Sequence, residues 1–376
     1  MISAVWGVFV WREFANAPAS SRRLLPYMFV LFLLGLGLIA VAPLLQDNFE
    51  EYMKKIVVVG SINLDLVSYA ARMPLVGETI IGQGFATHPG GKGANQAVCA
   101  ARLGGDVSIV GRLGKDSFAS ELREGLNAAG VHTECVENVP GPSGTAMILV
   151  TTDGSNSIVV NPGANASLQP QDLIAFEDLF RSASIILSQL EIPIDTVEEL
   201  GRTVERLGIP FLLDPAPALP LSPALMKTIT WLTPNESECQ SLLKALGHLE
   251  VETSKHLPPE EAVQPFLDAG VRNVILKLGE RGVYIAGRDV EPAYISSFRV
   301  TAVDTTAAGD AFNGGFAFGL TCGGLDPLPA ARFANAVAAV SVTRSGAQNS
   351  MPQLMEVDAL SNVDGHTRHR SPYTTA

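Results

Sequence analysis

The chain has 376 residues, of which 47% are hydrophobic, and its 26 Lys and Arg against 38 Asp and Glu give a formal net charge of −12. The hydrophobic content excludes a disordered protein, and the acidic surplus argues against a protein that works mainly by coating nucleic acid. The four cysteines form no C-x-x-C pair, which indicates neither a zinc site nor a disulfide framework and suits a reducing compartment: Cys99, Cys135, Cys239 and Cys322.

The first 52 residues differ in character from the rest of the chain. Residues 27–45 carry no charge, and as a helix they would span about 28 Å, roughly one hydrocarbon core. Arg22 and Arg23 precede this run, so a real membrane anchor would have its N-terminal side in the cytoplasm. Alternatively, residues 1–52 come from an over-extended start site or a poorly structured leader, and the enzyme begins at Met53. We prefer this second interpretation, which predicts a cytoplasmic protein that contacts membrane only if residues 27–45 are an anchor.

From Lys55 onward, apolar strands and helices alternate along the chain. Residues 55–60, KIVVVG, form a β-branched run that ends in glycine, which predicts a buried parallel strand. Residues 91–103 predict a helix of small residues opened by glycines. The other predicted elements are strand 107–111, helix 116–129, strands 145–151 and 157–161 around a D-G-S-N turn, strand 184–188, helix 194–207, strands 210–214 and 231–233, helices 235–246 and 258–269, strand 273–278, and helices 309–322 and 328–343.

This alternation predicts one α/β domain over residues 53–364, with a mostly parallel sheet covered by helices on both faces. Residues 65–87 and 144–161 fit the alternation worse. We interpret them as shorter strands and hairpins of a small sheet that stands apart from the main one. Residues 365–376 are polar, and we expect this tail to fray.

Common phosphate-loop, zinc-protease and nucleophile-elbow motifs are absent from the sequence, but three polar constellations remain. The first is DTTAAGD, residues 304–310. Its small residues would expose consecutive N–H groups at a helix N-terminus, which makes an anion site. A carboxylate tolerated there, Asp310, is a candidate general base for a hydroxyl that attacks the anion. The competing interpretation is an ordinary aspartate that caps a helix packed through glycines.

The second and third constellations lie near the start of the domain. In GGKGAN, residues 90–95, the glycines would allow close backbone approach, and Lys92 and Asn95 would present donors to a polar ligand. A glycine-rich turn that feeds a packed helix explains these residues equally well. Asn63 and Asp65 alternate onto one face just past the first strand, at the edge where ligands of α/β sheets bind. A capping turn is the simpler explanation of that pair.

Taken together, these residues resemble the ribokinase family of carbohydrate kinases. The resemblance runs from about Lys55 to Pro352, and it rests on GGKGANQAVCAARLG and VDTTAAGDAFNGGF in this order, about 215 residues apart. Many relatives carry glycine where Ala307 stands, whereas ribokinases use alanine. The resemblance implies a doubly wound α/β domain with a β lid, formed by the two irregular segments, that closes over the sugar. Such lids often form a dimer contact, which predicts a homodimer.

The resemblance also implies ATP-dependent phosphorylation of the O5 hydroxyl of D-ribose. Asp310 would be the catalytic base, and the backbone of Ala307, Ala308, Gly309 and Asp310 would form the anion hole. The residues implied to bind the sugar are Asn63, Asp65, Gly91, Lys92, Asn95, Glu191 and Asp310. Those implied to bind the nucleotide are Asn235, Lys277, Gly279, Gly282, Gly309 and Asn335, the last standing where ribokinases often have histidine.

Two metal ions follow from the same resemblance. Asn235 and Glu238 form an N-x-x-E pattern that would orient magnesium through water. A monovalent cation, usually potassium, would lie beside the anion hole, held mostly by backbone carbonyls. The matching positions are Asp304, Thr306, Ser341, Arg344, Gly346 and Ser350.

Two alternatives to a ribose kinase remain open. The nearer one is another sugar or nucleoside kinase of the same family, such as a deoxyribokinase, fructokinase or adenosine kinase. A nucleoside would need aromatic side chains around its base, whereas the sugar segments here offer polar donors. The other alternative is a membrane-tethered sugar-binding protein without catalytic activity. The intact Asp310, anion-hole segment and N-x-x-E pattern argue against it.

Overall fold

The computed structural model describes residues 54–248 and 257–363, together with Gly35. The predictions for residues 1–52, including the hydrophobic segment 27–45, and for the tail 365–376 lie outside the described residues. In the part of the chain that is described, no helix is both long and apolar enough to cross a membrane.

The main sheet has ten strands in the described residues, and the β-branched run at the start of the domain is one of its inner strands, β1. Its strand order is β14-β13-β12-β11-β10-β9-β1-β4-β5, and β6 pairs with β4. All pairs are parallel except β12–β13 and β13–β14. The strands are β1 Lys55–Val59, β4 Val107–Leu113, β5 Val131–His132, β6 Val136–Asn138, β9 Ala183–Ser188, β10 Phe211–Leu213, β11 Trp231–Leu232, β12 Asn273–Lys277, β13 Val283–Gly287 and β14 Ala293–Ile295.

Helices cover both faces of this sheet, which confirms the predicted doubly wound architecture. The α-helices are α1 Lys92–Arg102, α2 Phe118–Ala128, α3 Glu177–Ser182, α4 Ile194–Leu207, α5 Pro223–Thr228, α6 Glu236–Ala245, α7 Pro259–Asp268, α8 Ala308–Leu320, α9 Pro327–Ser341 and α10 Leu354–Val363. Short 3₁₀ helices span Gly163–Ser167, Pro170–Phe176, Gly279–Arg281 and Gln348–Ser350.

Two hydrophobic cores form because β1 is buried on both faces of the main sheet. Ile56 and Val58 point into a core shared with α1, α8 and α9, whereas Val57 and Val59 point into a core shared with α4, α6 and α7. All four side chains are fully buried, as a parallel strand between two helix layers requires. The alternation of neighbouring residues between the two cores fixes the register of the sheet.

The two irregular segments form a separate four-stranded sheet in the order β3-β2-β7-β8, which confirms the predicted small second sheet. Asn63 and Asp65, expected just past the first strand, belong to the start of β2, and so the pair opens the small sheet at the edge of the main one. The strands are β2 Asn63–Ala70, β3 Gly84–Gly90, β7 Gly144–Thr151 and β8 Asn156–Asn161.

Candidate active site

The predicted site residues converge at the carboxyl edge of the main sheet. β1 is followed by Asn63, and β9, its neighbour, is followed by Glu191. Farther along the same edge, Asp214 follows β10 and Lys277 ends β12. In chain order, the strands after β1 lie first on one side of it, at β4 and β5, and later on its other side, at β9 and β10. Ligands of open α/β sheets bind where the strand order reverses in this way. The topology therefore places a cleft where these polar side chains lie.

Asp310 lies in the first turn of α8, against the first turn of α1. Its Oδ2 accepts a hydrogen bond from Asn95 Nδ2 at 2.9 Å, and its Oδ1 accepts one from Gln96 Nε2 at 3.0 Å. The two helices approach closely because Gly314 has no side chain, since a Cβ there would lie 2.7 Å from Cys99 Cβ. The structure thus brings the two glycine-rich motifs together in one site.

The N-terminus of α8 has the properties of an anion site. Ala307 precedes the helix in the left-handed conformation, with φ 58°, and no other non-glycine residue that the structure describes has a positive φ. This conformation costs an alanine about 1–2 kcal/mol. It exposes the first N–H groups of a helix that continues through Ala308 and Gly309, groups that have no intrahelical partner. Lys277 Nζ would lie 3.2 Å from a Cβ added to Gly309, so its ammonium adds positive charge at the same place.

The charges around Asp310 suit it to accept a proton. Its side chain is buried, and burial raises its pKa above the ordinary value. The Lys92 ammonium lowers this pKa, the negative charge of Asp214 raises it, and the hydrogen bonds from Asn95 and Gln96 lower it. A carboxylate whose pKa is raised by burial holds a proton more strongly than an exposed one, which suits it to accept a proton.

Lys92 contributes a positive charge that acts on these carboxylates. Burial alone would lower its pKa, but the negative charges of Asp310, Asp214, Glu191 and Glu238 raise it above the ordinary value, so its ammonium is protonated at neutral pH. It is therefore a fixed cation in the cleft.

The residues predicted to bind the sugar lie on the opposite side of the cleft, where β2 begins. Glu191 Oε2 accepts hydrogen bonds from Asn63 Nδ2 at 3.4 Å and from the backbone N–H of Lys92 at 3.2 Å. Asp65 shares a strand face with Asn63. Burial and the negative charges of Glu191 and Asp310 raise the pKa of Asp65 to about 7, although Lys92 lowers it.

Gly91 positions this side of the cleft through its backbone. It is the N-cap residue of α1, with φ 88°, a conformation that disfavours any side chain. A Cβ on Gly91 would also lie 2.7 Å from the backbone nitrogen of Asn63. The glycine therefore lets the start of α1 touch the start of β2, which brings Lys92 and Asn95 close to the small sheet.

The residues predicted to bind the nucleotide lie at the other end of the sheet edge. Asn235 caps α6: its Oδ1 accepts from the backbone N–H of Glu238, and Glu238 Oε2 accepts from the backbone N–H of Asn235, both at 2.8 Å. The N-x-x-E pattern is thus a capping box. Gly279 and Gly282 form the turn after β12 with φ values of 60° and 92°.

Asn335 differs from this group in its surroundings. It is buried in α9, and its Nδ2 donates to the backbone carbonyls of Ile295 at 3.1 Å and Ser296 at 3.3 Å. The amide nitrogen therefore holds the end of β14 against the helix. Only the amide oxygen is left for another ligand.

A magnesium ion fits the surroundings of Glu238. Burial raises the pKa of the Glu238 carboxyl, the positive charge of Lys277 lowers it, and the negative charge of Asp214 raises it. Within residues 54–248 and 257–363, no group of three or more His, Cys, Asp or Glu side chains could hold a metal ion. Magnesium, however, usually keeps several waters and binds through one or two carboxylates plus substrate phosphates. One partly buried carboxylate beside an anion site provides that donor set.

The residues predicted for potassium lie around the loop before α8. Asp304 Oδ1 accepts from Thr306 N at 2.9 Å and from Thr306 Oγ1 at 2.6 Å, and its Oδ2 accepts from Gly346 N at 2.9 Å. Burial raises the pKa of Asp304, but the lowering by these hydrogen bonds is larger. The pKa therefore lies below its ordinary value. Ser341 is buried with its Oγ donating to Ala338 O, so only its carbonyl could serve a cation.

The two remaining potassium positions are also held by neighbours. Arg344 pairs with Glu356 at 2.9 Å, and Ser350 Oγ donates to Ala347 O at 2.8 Å. Both side chains are thus engaged, and backbone carbonyls are the groups that these positions offer to a cation. A carboxylate with several carbonyls suits a hard cation.

Sequence reasoning missed several polar residues of the cleft. Asp214 Oδ1 forms an ion pair with Lys277 Nζ at 3.0 Å, and Asp214 is nearly fully buried. Gln96 Nε2 also donates to Asp214 Oδ2 at 3.0 Å. Asn165 Nδ2 donates to Asn63 Oδ1 at 2.7 Å and thereby fixes it from a distant loop. Asp214 had one usable signal, since it is the last residue of a predicted strand and Glu191 follows another, whereas Asn165 had none.

The fold and the site together define an α/β protein with a buried carboxylate in the first turn of a helix, next to the polar side chains where β2 begins. Residues 53–354 match the model of the pfkB family carbohydrate kinases. The chain is 41% identical over 310 residues to a ribokinase of Bacillus subtilis, covering 82% of this chain and 99% of the relative. It is 38% identical to a deoxyribokinase of Salmonella typhi, covering 80% of this chain and 96% of the relative.

The fold also matches solved structures. A structure of ribokinase from Arabidopsis thaliana complexed with ribose and ATP superposes with a TM-score of 0.73 at 35% identity, covering 82% of this chain and 98% of that one. The chain therefore belongs to the pfkB family of carbohydrate kinases, and it is a sugar kinase.

Proposed function

We propose that this kinase transfers the terminal phosphoryl group of ATP to the O5 hydroxyl of D-ribose. The observation that carries the proposal is the position of Asp310, where a buried carboxylate faces both the polar pocket at β2 and the N-terminus of α8. The similarity to ribokinases over four fifths of the chain supports ribose as the sugar and ATP as the donor.

In the proposed reaction, Asp310 accepts the proton of the O5 hydroxyl as O5 attacks the γ-phosphorus. The bond between that phosphorus and the bridging oxygen of ADP breaks, and ADP leaves with the bond's electrons. The N–H groups that follow Ala307, together with the Lys277 ammonium, stabilise charge on the transferring group. Such chemistry needs positioning and charge stabilisation more than covalent participation of the protein.

The polar pocket holds the sugar in the same proposal. Asp65, Glu191 and the amide oxygen of Asn95 accept hydrogen bonds from sugar hydroxyls, whereas Asn63 and Lys92 donate. Asn95 Oδ1 supports this assignment because it is buried without a hydrogen-bond partner among the described residues. Gly91 contributes its backbone at the start of α1. A ligand hydroxyl would satisfy the unpaired oxygen, and an unpaired buried polar atom otherwise costs about 1–3 kcal/mol.

We also assign the ions and the nucleotide contacts by this reasoning. Magnesium bound near Glu238 would neutralise phosphate charge, with Asn235 fixing the carboxylate that orients it. Potassium would lie beside Asp304 and the carbonyls of the five other predicted positions. The turn at Gly279 and Gly282 would contact the nucleotide, as would the free oxygen of Asn335.

The small sheet is proposed to act as a lid and as a homodimer contact. Met147 and Val159 pair directly across β7 and β8, so they share one face, and they are 56% and 61% exposed. Phe85, on β3, is 68% exposed. Exposed apolar side chains grouped on one sheet often mark an interface. A closed lid would also exclude water from the phosphoryl group.

A deoxyribokinase is the competing assignment, because the Salmonella typhi relative is nearly as similar as the ribokinases. The two sugars differ only at the 2-hydroxyl. Parallel assays with ribose, 2-deoxyribose, fructose and adenosine distinguish these possibilities, and we expect the highest kcat/KM with ribose. Binding of ribose without release of ADP would instead indicate a sugar-binding protein without catalysis.

Replacement of the proposed base tests the mechanism. Asp310→Asn should lower kcat by about a factor of 10² to 10⁴, the usual contribution of a general base, because the amide cannot accept the proton. Ribose binding, measured by calorimetry without nucleotide, should change little, since the amide keeps the shape of the side chain. A variant that retains most of its turnover would overturn the assignment of Asp310.

A further inference from the structure

Gln96 lies at the centre of a buried polar network that no assigned role explains. Its side chain is fully buried, one residue after Asn95 in α1. Its Nε2 donates to two carboxylates, Asp310 Oδ1 and Asp214 Oδ2, each at 3.0 Å. An amide nitrogen has two hydrogens, so this bridge uses both of them.

Gln189 fixes which way this amide points. Gln189 Nε2 donates to Gln96 Oε1 at 2.7 Å, and Gln189 is itself fully buried after β9. A flipped Gln96 amide would place its oxygen against two carboxylates and its NH₂ group against another NH₂ group. Both arrangements are repulsive, and the geometry therefore permits one orientation only.

The bridge joins the two halves of the site. On one side it holds Asp310, and on the other it holds Asp214, whose Oδ1 pairs with Lys277 Nζ at 3.0 Å. Lys277 in turn reaches the N-terminus of α8 beside Gly309. One hydrogen-bonded path therefore connects the proposed base with the ammonium group at the anion site.

We infer that Gln96 is a positioning residue for the phosphoryl transfer. It holds the Asp310 carboxylate in one orientation and couples it to the Asp214–Lys277 pair. This inference rests on the proposed role of Asp310 as the base. Gln189 supports it by fixing the amide of Gln96.

The charges that face Asp310 determine the direction of the expected effect. Hydrogen bonds to a carboxylate favour its ionised form, so removal of Gln96 raises the pKa of Asp310. The negative charge of Asp214 also raises the pKa of Asp310, and without Gln96 one hydrogen bond fewer would oppose it. The charged or titratable groups around Asp310 are Lys92 and Cys99 on α1, Asp214 after β10, Lys277 on β12, Glu238 on α6, Asp65 on β2 and Glu191 after β9.

The pH dependence of kcat tests this inference. Gln96→Met keeps the volume of the side chain but cannot donate, so the acidic limb of kcat should move up by about one pH unit, with about a tenfold loss of kcat at pH values well below the wild-type limb. Thr196→Val is the matched control. Thr196 is also fully buried and donates to Leu168 O at 2.6 Å, and it lies on α4, whereas the side-chain hydrogen bonds to Asp310 come from Asn95 and Gln96 on α1. The acidic limb of kcat in Thr196→Val should stay at the wild-type pH.

The outcomes separate the inference from the proposed function. If the acidic limb of kcat in Gln96→Met stays at the wild-type pH, the inference is overturned, even if kcat or Tm falls. A purely structural role lowers kcat equally at every pH. If Gln96→Met does not fold, Gln189→Met tests the same idea, with a smaller upward movement expected and an unchanged limb contradicting it. The proposed function fails instead if Asp310→Asn keeps its turnover.

Discussion

Lowering the pH from 8 to 6 should weaken ribose binding, because it protonates Asp65. Burial, Glu191 and Asp310 raise the pKa of this carboxyl to about 7. An ionised carboxylate accepts strong charge-assisted hydrogen bonds from hydroxyl groups, and a protonated one does not. If only the ionised form binds, the apparent Kd follows the ionised fraction, which falls from about 10/11 at pH 8 to about 1/11 at pH 6. The apparent Kd should therefore rise about tenfold across this range.

Calorimetric titration of ribose at constant ionic strength, without nucleotide, measures this dependence. The Asp65→Asn variant serves as the control, since its amide has a similar shape but does not titrate. We expect the variant to bind ribose about tenfold or more weakly than the wild type at pH 8, because it loses a charge-assisted bond, and to show a flat profile. A wild-type profile without slope, or the same slope in Asp65→Asn, would refute the assignment of Asp65 as the titrating sugar ligand.

The stability of the same variant gives a second check on the raised pKa of Asp65. A carboxyl whose pKa is higher in the folded than in the unfolded state binds its proton more tightly when folded. It therefore makes the protein less stable as the pH rises from about 4 to about 7. Asp65→Asn removes this effect, so its gain in Tm over the wild type should be larger at pH 8 than at pH 5. An equal difference at both pH values would contradict the raised pKa.

Four further predictions concern stability, ions and assembly. Gly91→Ala should lower the free energy of unfolding by about 2–4 kcal/mol in urea denaturation, because it combines a positive φ with backbone overlap, whereas Gly104→Ala, with φ 100° and open space, should cost about 1–2 kcal/mol. Ala307→Gly should raise that free energy by about 0.5–1 kcal/mol, since relief of the left-handed strain exceeds the entropy cost of glycine, and a loss would contradict the strain. Potassium should increase turnover several-fold over sodium alone, and equal rates would count against the cation site. Met147→Asp should shift the protein towards monomer in light scattering, whereas Ile174→Asp, exposed outside the lid, should not, and identical masses would exclude a dimer through this face.

Local sequence patterns predicted most of the main sheet because its strands are buried on both faces. The run at Lys55–Val59 is β-branched and ends at a glycine, and the structure places its side chains in two cores. The antiparallel edge, Val283–Gly287 with Ala293–Ile295, was not predicted. Short edge strands are held by pairing with a neighbour far more than by their own composition, so a local pattern carries little information about them.

The site was predictable where its residues cluster in the chain and not where tertiary structure assembles it. Lys92 and Asn95 belong to one helical turn, and Asp310 sits at a recognisable helix start. Gln96 and Asp214 are 118 positions apart, yet they share a hydrogen bond because α1 begins and β10 ends at the same edge of the sheet. No role was predicted for Gln96, although it lies within the GGKGANQAVCAARLG segment. A pattern confined to one segment could not indicate that its amide joins two carboxylates.

If the cleft binds ATP as proposed, its balance of charge predicts that the nucleotide arrives with a cation. Two ammonium groups, those of Lys92 and Lys277, face more than twice as many carboxyl groups there: Asp65, Glu191, Asp214, Glu238 and Asp310. Such a site would repel the four negative charges of free ATP, and the N-terminus of α8 offsets only about half a unit charge. A nucleotide that carries magnesium removes two of its own charges and adds a partner for Glu238. Burial raises the pKa of Asp310 and Asp65, and the same excess of carboxyl groups raises it further. The charge that discourages free nucleotide therefore also makes Asp310, the proposed base, a stronger proton acceptor.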